Sequence, residues 1–337
     1  MSDSATSGPL LSVIIVNWNG AAFLPRCLQS LREQSLSSAD FQTIVVDNAS
    51  TDASLHLIRD SFAEVAILAL DANFGYAEAN NRAARTSRAR YLLFLNNDTY
   101  LDSEALETLA AAAEQRPSVA IFAPQLRTYD GKERLTMGIG LDVFGFPCGT
   151  RTFYADGAAL FMRADVFARL GGFDPAHFMF FEETDLCWRA WLQGYRIGTV
   201  PEAIVFHKAG GTAGSSTAEG GHYSTSRNKR RLSHRNQLAT LLKNYSMPVL
   251  CVVLPLFAAL TAAEVAVLFR SGQRSAIRDI YLPAWSDLLR NRAHLRAMRR
   301  RIQSSRTVSD WTILRRLEWR SAMVDQFRRT GAPTLTR

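Results

Sequence analysis

Residues 11–20 read LSVIIVNWNG, a run of mostly apolar residues that ends at a polar turn. A short apolar segment rich in β-branched residues is typical of a strand that is buried on both faces of a sheet. Residues 23–31 follow with apolar side chains at helical spacing, which predicts an amphipathic helix. This opening therefore predicts a strand and a covering helix, the repeating unit of an α/β fold.

The same pattern recurs in the segments that follow. Further strands are predicted at residues 41–47 (FQTIVVD), 65–70 and 91–95 (YLLFL), with a helix through residue 62. Buried strands that alternate with amphipathic helices indicate a mostly parallel central sheet flanked by helices. Polar ligands gather at the carboxyl ends of such strands, and Asn17, Asp47 and Asp98 fall at these ends.

The charge of the chain is distributed unevenly. Of the 337 residues, 47% are hydrophobic and 21% are charged, as expected of a folded protein, and the length suits one large domain with a smaller appendage or two modest domains. Residues 270–337 hold 16 Arg and 5 acidic residues, whereas the remainder holds 23 basic and 26 acidic residues. On charge alone, such a basic segment can serve anionic lipid or nucleic acid.

Cysteine usage and the polar N-terminus bear on the compartment. The 4 cysteines are scattered and lack metal-ligand spacing, which predicts reduced thiols. The first ten residues have neither the basic start nor the apolar core of a signal peptide. We therefore expect the catalytic part to lie in the cytoplasm.

The C-terminal part of the chain is predicted to be helical and associated with a membrane. Residues 247–269 are almost wholly apolar, but they include Pro248, Pro255 and Glu264. The segment could therefore span a bilayer, re-enter it or lie at its surface. Flanking arginines favour the anionic cytoplasmic face of the inner membrane, as a peripheral or monotopic protein. The alternative is a soluble helical bundle that packs this segment internally, or in a homodimer.

These observations predict four regions. They are a flexible N-terminus at residues 1–10, a catalytic domain at 11–208, a mobile loop rich in Gly, Ser and basic residues at 209–234, and a helical, basic tail at 235–337. Within the loop, residues 209–226 are a candidate lid that would order over a bound substrate.

Two strand-end acids are the first candidates for chemistry. Asp47 could accept hydrogen bonds from a base or ribose, although an acid in DNASTD is also a common turn or helix cap. Asp98 ends the sequence NND and could bind a divalent cation through its carboxylate, or it could equally be a turn acid.

Two further candidates come later in the chain. Glu182, Glu183 and Asp185 lie between aromatic segments, where one of them could act as a general base on an acceptor hydroxyl. The alternative is that these acids only suit the positive end of a helix dipole. His207 ends a predicted strand and could bind a metal ion, but a single histidine is more often structural.

Taken in order, the motifs resemble those of family 2 glycosyltransferases over residues 11 to 245. The motifs that carry the resemblance are SVIIVNWNG, IVVDNASTD, ANFGYAEANN, YLLFLNND, DGAALFMRADVFARLGGFD, FFEETDLCWRA and IVFHKAGGT. The resemblance implies a GT-A fold, inversion at the anomeric carbon, and a divalent cation, Mn²⁺ or Mg²⁺. It also implies a dTDP-, UDP- or GDP-sugar donor. The rhamnosyltransferase-like branch that builds cell-envelope polysaccharides is most similar, which implies a glycan or polyprenyl-linked acceptor.

The resemblance assigns roles residue by residue. The donor-binding positions are Asn17, Trp18, Asp47, Asn73, Gly75, Asn80 and Asn97. Asp98 and His207 would hold the metal, with Asn96 replacing the first acid of the family motif. Glu183 stands where the family usually has Asp as the base, with Asp185 and Glu182 as alternatives. The acceptor-side positions are Asp156, Gly157, Trp188 and Arg189.

Three other functions fit parts of the sequence. A sugar nucleotidyltransferase would need a Gly-rich basic phosphate loop after the first strand, and NWNGAAF is not one. A nucleic-acid-binding protein would leave the acidic N-terminal part unexplained, so no nucleic-acid partner is expected. A catalytically impaired family member that acts as a scaffold remains an alternative, because Asn96 and Glu183 depart from the family pattern.

Overall fold

The structure is a computed structural model that describes residues 8–149, 151–208, 217–219 and 222–336. The chain divides into two compact units. The sheet unit comprises Met1–Gly138, Tyr154–Phe178 and Tyr195–Thr212, and the helical unit comprises Ile139–Phe153, Met179–Gly194 and Ala213–Arg337. The acids Glu182, Glu183 and Asp185 thus belong to the helical unit, whereas Asp98 and His207 belong to the sheet unit.

The sheet unit alternates strands and helices. Its strands are β1 (Leu11–Asn17), β2 (Phe41–Asp47), β3 (Ala66–Ala69), β4 (Tyr91–Asn96), β5 (Thr99–Leu101), β6 (Val119–Thr128), β7 (Arg134–Thr136), β10 (Ala159–Arg163) and β11 (Arg196–His207). Its helices are α1 (Leu24–Arg32), α2 (Ser54–Ser61), α3 (Gly75–Thr86), α4 (Ala105–Gln115), α5 (Ala164–Leu170) and a 3₁₀ turn, Pro175–His177.

These strands form one sheet in the order β3-β2-β1-β4-β10-β6-β11-β5, with β7 paired to β6. The first four strands of that order are parallel, as predicted. In the other half β11 runs parallel to β6, but β10 runs antiparallel to both β4 and β6, and β5 runs antiparallel to β11, so the sheet has more antiparallel pairing than predicted. The sheet is therefore mixed, and its parallel half carries the edge where β1, β2 and β4 end together.

The apolar runs that predicted the strands form the core. Val13, Ile15 and Leu93 are fully buried, and α1 packs onto the sheet through Cys27 and Leu28. Burying each such aliphatic side chain contributes about 1.5–3 kcal/mol to folding. Burial also raises the pKa of the Cys27 thiol to about 12, so this cysteine stays a neutral core residue.

The helical unit is built mainly from helices. Its elements are β8 (Gly140–Leu141), β9 (Pro147–Cys148), α6 (Glu182–Leu192), β12 (Thr217–Glu219), β13 (His222–Ser226), α7 (Arg227–Asn244), α8 (Met247–Arg270), a π-helical turn Ile277–Tyr281, α9 (Leu282–Arg290), α10 (Arg292–Ser305), α11 (Asp310–Leu314), α12 (Ala322–Thr330) and β14 (Thr334–Thr336).

The predicted boundary between loop and tail at residue 235 is wrong. The helix α7 begins at Arg227, because the Ser226 hydroxyl caps it by accepting a hydrogen bond from the backbone N–H of Lys229. Residues 217–219 and 222–226, which were assigned to the mobile loop and the candidate lid, are the strands β12 and β13. The rest of the candidate lid, residues 209–216 and 220–221, lies outside the described residues.

Part of the basic tail has a structural role. The Arg299 guanidinium donates hydrogen bonds to the carbonyl oxygens of Leu242 and Tyr245, at the C-terminal end of α7. Gln303 donates to the neighbouring carbonyl oxygen of Lys243 at 2.9 Å. These carbonyls would otherwise have no partner within the helix. Arg299 therefore stabilises the fold, whereas the prediction assigned its charge to the membrane.

The helix α8 is the most apolar element. In the described part of the chain it is the one helix long and apolar enough to cross a membrane, with a mean hydropathy of 2.3 over the relevant window. One of its faces, which includes Val253, Phe257 and Thr261, is buried within the helical unit. Glu264 forms an ion pair with Arg230, which accounts for a charged residue in an apolar helix.

His234 is a buried histidine in the helical unit. Its ring stacks on Phe257 at 5.6 Å and meets the edge of Tyr281 at 5.0 Å. Burial, followed by the nearby charge of Arg230, lowers the pKa of His234 from 6.5 to about 4, although Glu264 opposes the shift. The folded protein therefore holds this imidazole neutral under conditions where the unfolded chain protonates it.

We expect this burial to make stability fall in mild acid. Between pH 6.5 and about 4 the unfolded state binds a proton at His234 that the folded state does not, so stability declines as the pH falls through this window. The full loss is about 3 kcal/mol. Urea unfolding at pH 7.5 and pH 5 should show a smaller pH-dependent loss in His234→Phe than in the wild type. An equal loss in both proteins would contradict this assignment.

Candidate active site

The side chains at the ends of β1, β2 and β4 form one hydrogen-bonded cluster. The Asn17 amide donates to Asp47 Oδ1 at 3.2 Å and to Ser50 Oγ at 3.1 Å. Asn97 Nδ2 donates to Asn17 Oδ1 at 2.9 Å, and Asp47 Oδ2 accepts from the backbone N–H of Ser50. Three strand ends that are distant in sequence are thus joined through Asn17. Asn17 and Asp47 are the last residues of β1 and β2, as predicted, whereas the donor-binding role of Asn17, Asp47 and Asn97 stays a prediction.

The turn after β1 allows this cluster to form. A Cβ atom at Gly20 would lie 2.1 Å from Asn97 Nδ2 and 2.3 Å from Asn17 Oδ1, so only glycine fits. Asn19 adopts a positive φ of 52° and its side chain accepts a hydrogen bond from the backbone N–H of Thr51. Trp18, a predicted donor-binding residue, is 44% exposed, so its ring is available to a ligand.

We expect Gly20→Ala to disrupt this edge. The new methyl group must displace the side chains of both Asn17 and Asn97, and broken buried hydrogen bonds of this kind cost about 1–3 kcal/mol each. The variant should therefore unfold at lower temperature and lose transfer activity together, as measured by thermal denaturation and initial rates. Wild-type stability in Gly20→Ala would mean that the turn relaxes without consequence.

The predicted Asn73, Gly75 and Asn80 element begins α3. Asn73 Oδ1 accepts hydrogen bonds from the backbone N–H of Gly75 and from the Asn48 side chain, both at 2.9 Å. Gly75 has a φ of 79°, and an added Cβ would lie 2.4 Å from the Phe178 carbonyl oxygen. Asn80 is fully buried and donates to the carbonyl oxygen of the preceding turn of α3. Asn80 is therefore placed to support the helix, whereas the prediction put it in contact with the donor.

Asp98 and His207 are brought together by strand pairing. The short strand β5 follows Asp98 directly and pairs antiparallel with the end of β11, with Thr99 opposite His207. His207 Nε2 then lies 3.3 Å from Asp98 Oδ1. The Asp98 carboxylate is 5% exposed and the imidazole 15% exposed, so both groups border the surface of the sheet unit.

This pair fits a divalent cation. A carboxylate oxygen and an imidazole nitrogen 3.3 Å apart have the separation of neighbouring ligands of one ion, since two ligands about 2.1 Å from an octahedral metal are roughly 3 Å apart. An imidazole in the ligand set favours Mn²⁺ over Mg²⁺, which prefers oxygen ligands. Asp98 and His207 are 109 positions apart in the chain, so neither sequence neighbourhood alone shows this pair.

The predicted acceptor-side residues Asp156 and Gly157 lie beside the end of β4. The Asp156 carboxylate accepts a hydrogen bond from the backbone N–H of Ala158 at 2.8 Å, which forms a tight turn before β10. The backbone N–H of Asn96 donates to the Ala158 carbonyl oxygen, and Tyr76 donates its hydroxyl to the Gly157 carbonyl oxygen at 2.9 Å. This turn is therefore fixed between β4 and α3.

The three acids of α6 occupy different environments within the helical unit. Asp185 is fully buried and accepts from Lys243 Nζ at 3.0 Å, from Arg189 Nε at 2.8 Å and from the Asn244 amide at 2.9 Å. Glu182 is also buried, and burial together with the charge of Glu183 raises its pKa well above the ordinary value. Glu183 is partly exposed.

The backbone before α6 is strained. Phe180 and Phe181 have φ angles of 70° and 69°, which are rare for bulky residues. The Asn236 amide holds this segment by donating to the carbonyl oxygens of Met179 and Phe180 at 2.9 and 2.7 Å. Strain of this kind persists where surrounding contacts impose it, and it is concentrated at functional sites. The strained segment therefore supports a functional role for the acids that follow it.

Two predicted acceptor-side residues are core residues. Trp188 is fully buried between Phe153, at a ring distance of 5.4 Å, and Tyr245, at 4.8 Å. Arg189 is 2% exposed and is paired with Asp185. The prediction that these two residues face the acceptor is wrong, because both side chains point into the helical unit. Asp185 is likewise a structural anion in this network.

Several residues of the cluster were not predicted. The Ser50 hydroxyl binds the end of β1, the Asn48 amide donates to the Gly75 carbonyl oxygen at the start of α3, and Tyr76 holds the Asp156 turn. Ser50 and Asn48 lie within the motif DNASTD, whose composition predicts a turn but not these particular contacts. In the helical unit, Lys243 and Asn236 carry no recognisable motif, and only their burial identifies their roles.

Comparison with known proteins agrees with the fold and the motifs. Residues 12–169 match the profile of Glycosyl transferase family 2, and residues 91–271 match that of Glycosyl transferase family group 2. The chain belongs to the family 2 glycosyltransferases, and its sheet unit has the GT-A fold.

The curated relatives are similar over part of their length. An uncharacterised glycosyltransferase of Haemophilus influenzae is 34% identical over 110 residues, which cover 33% of this chain and 36% of that protein. A PGL/p-HBAD biosynthesis glycosyltransferase of Mycobacterium bovis is 32% identical over 121 residues, covering 34% of this chain and 46% of that protein. The match thus spans less than half the length of either relative.

Among solved structures, a mannosyltransferase from Pyrobaculum calidifontis, in complex with GDP-Man and Mn²⁺, has a similar fold. Its TM-score is 0.51 at 19% sequence identity, and the match covers 89% of this chain and 86% of the mannosyltransferase. This likeness establishes the fold.

Proposed function

We propose that this glycosyltransferase transfers a sugar from a nucleoside-diphosphate donor to an acceptor hydroxyl, with a divalent cation held by Asp98 and His207. The observation that carries the proposal is the 3.3 Å separation of Asp98 Oδ1 and His207 Nε2. The similar mannosyltransferase is described with GDP-Man and Mn²⁺, which supports both the donor class and the metal.

The residues of the sheet unit have separable roles in this proposal. Asp47, held in place by Asn17 and Ser50, would accept hydrogen bonds from the nucleoside, and the exposed Trp18 would contact the same part of the donor. The cation would neutralise the charge that develops on the diphosphate leaving group. Asp98 and His207 would orient the diphosphate by holding that cation.

Glu183 is proposed as the base that accepts the proton of the acceptor hydroxyl. Of the three acids in α6, Asp185 is occupied by three donors and Glu182 is held towards its neutral form by burial. Glu183 alone of the three is partly exposed. Attack by the activated hydroxyl on the face opposite the diphosphate would invert the anomeric carbon.

Donor binding tests the proposal directly. Thermal unfolding of the full chain should be recorded with UDP, GDP and dTDP, each with and without Mn²⁺. We expect one nucleotide to raise the melting temperature, and to do so more strongly with the cation than without it, because ligands that bind only the folded state stabilise it. The corresponding sugar nucleotides, dTDP-rhamnose among them, then identify the donor. Absence of any cation-dependent shift would reject the proposal.

We further propose that the acceptor is a glycan or polyprenyl-linked glycan of the cell envelope, used at the cytoplasmic face of the inner membrane. The support is the exposed face of α8, where Val252 is 62% and Leu256 is 50% exposed, together with the arginine-rich segment that follows. A buried opposite face and the paired Glu264 favour a helix that lies at the membrane surface over one that spans it.

Vesicle flotation tests this membrane proposal. The wild type should float with vesicles that contain phosphatidylglycerol and less with phosphatidylcholine alone, since each basic residue near an anionic surface contributes about 1 kcal/mol. The double variant Val252→Glu/Leu256→Glu should float less. The matched control is Leu135→Glu, which changes a residue of the sheet unit that is 44% exposed. Equal flotation of the double variant and the wild type would reject this surface.

A further inference from the structure

A groove runs between the first half of α8 and α10 in the helical unit. It has a volume of about 480 Å³, and its apolar lining includes Leu242, Leu250, Leu254 and Leu295. Arg296 and Arg299 line the same groove. A largely apolar groove with cationic groups is suited to a ligand that has both a hydrocarbon part and an anionic part.

The apolar part of the groove continues onto the surface of α8. Met247, Cys251 and Pro255 line the groove and are exposed, and Met247 is 60% exposed. The exposed residues Val252 and Leu256 follow these positions directly along the helix. Contiguous exposed apolar surface marks an interaction site. A hydrocarbon chain in the groove would therefore be in contact with further apolar surface.

The two arginines of the groove differ in what they bind. Arg299 donates to the carbonyl oxygens of Leu242 and Tyr245, so its guanidinium is used to cap α7. Arg296 is exposed, and no carboxylate among the described residues pairs with it. Guanidinium groups bind phosphate through paired hydrogen bonds, and the second arginine adds favourable charge nearby. The charge of the groove is thus complementary to a phosphate group.

We propose that this groove binds a single-chain lipid phosphate, with the hydrocarbon chain against the leucines and the phosphate on Arg296. A cavity of about 150 Å³ holds one benzene ring, so the groove can hold a chain of on the order of fifteen carbons. The inference goes beyond the proposed transfer reaction, because binding here requires neither a sugar donor nor a metal.

Cys251 provides a reporter inside the groove. It is exposed, whereas Cys27 and Cys187 are fully buried and serve as internal controls for unfolding. Farnesyl phosphate, kept below its critical micelle concentration, should slow alkylation of Cys251 by N-ethylmaleimide in a saturable way, as followed by mass spectrometry of the intact chain. Inorganic phosphate alone should protect little, because it does not cover the thiol. Failure of farnesyl phosphate to protect Cys251 overturns the proposal.

Two arginine variants test the phosphate contact. Arg296→Ala should weaken protection by farnesyl phosphate roughly tenfold, which corresponds to about 1.4 kcal/mol, because the phosphate loses its charge-assisted hydrogen bonds. Protection by farnesol, which lacks the phosphate, should not change. Arg301→Ala, an exposed arginine of α10 outside the groove lining, is the matched control and should behave as the wild type. Unchanged farnesyl phosphate affinity in Arg296→Ala would overturn the assignment.

The source of the chain is distinguished by comparing two phosphates. Dodecyl phosphate that protects as well as farnesyl phosphate would support a membrane lipid as the natural ligand. A clear preference for farnesyl phosphate would support an isoprenoid carrier. Since none of these measurements uses sugar transfer, their failure is distinct from failure of the proposed glycosyltransferase reaction.

Discussion

Replacing Asp98 by Asn should reduce sugar transfer by at least about 10²-fold, because the amide keeps the shape of the side chain but removes the charge that binds the cation. Asp98 is the carboxylate ligand of the proposed pair, and Asn96 already stands where the family motif usually has another acid. Residue 96 therefore cannot supply a second carboxylate, and raising the Mn²⁺ concentration should not restore the transfer rate.

The measurement is the initial rate as a function of Mn²⁺ concentration, together with Mn²⁺ binding followed by electron paramagnetic resonance. Asp130→Asn is the matched control, since Asp130 is an exposed turn acid of the same unit and should retain wild-type rates. His207→Gln should also weaken Mn²⁺ binding. A folded Asp98→Asn protein with near-wild-type turnover would show that Asp98 does not hold the cation.

Replacing Glu183 by Gln should reduce transfer by about 10²–10⁴-fold, the usual contribution of a general base, without lowering the stability of the fold, because the lost charge repels Glu182. The neighbouring substitution Glu182→Gln should instead change the stability of the fold and leave transfer largely unchanged. Burial, followed by the charge of Glu183, raises the pKa of Glu182, so the folded state favours the neutral acid. Gln is neutral at every pH and should therefore stabilise the protein near neutral pH.

The sign of this stability effect follows from proton binding. Above the ordinary pKa of 4.5 the unfolded chain releases the Glu182 proton, whereas the folded chain keeps it until the raised pKa is reached. Wild-type stability therefore declines as the pH rises through this window, and Glu182→Gln should lack that decline. Urea unfolding from pH 4.5 to 8, with rates for both variants, separates the two roles. Full activity in folded Glu183→Gln would require a different base.

Much of the parallel half of the sheet was predictable from local patterns. The segments LSVIIVN, FQTIVVD and YLLFLN are mostly apolar and end in a polar residue, and each is a largely buried strand that ends at that residue. Helical periodicity predicted α1 in the same way. Such patterns report how a segment is buried, which is a property of the segment itself.

Local patterns predicted the strands but not all of the pairs that the strands form. β10 pairs antiparallel with β4 and β6, although long segments separate it from both strands in the sequence. The burial of Trp188 and Arg189 was likewise missed. An aromatic or charged side chain near acidic residues has the same sequence signature whether it faces solvent or packs against Tyr245 and Asp185.

The sequence by itself determined the family, the strand-end positions of Asn17, Asp47 and Asp98, and the apolar character of α8. Only the tertiary structure decided that Asp98 meets His207, that Asp185 is neutralised by Lys243 and Arg189, and that Arg299 caps α7. The physical reason is that hydrophobic periodicity and turn composition act over a few neighbouring residues. Ion pairs and ligand sets depend on distances between atoms that only long-range strand pairing and helix packing bring together.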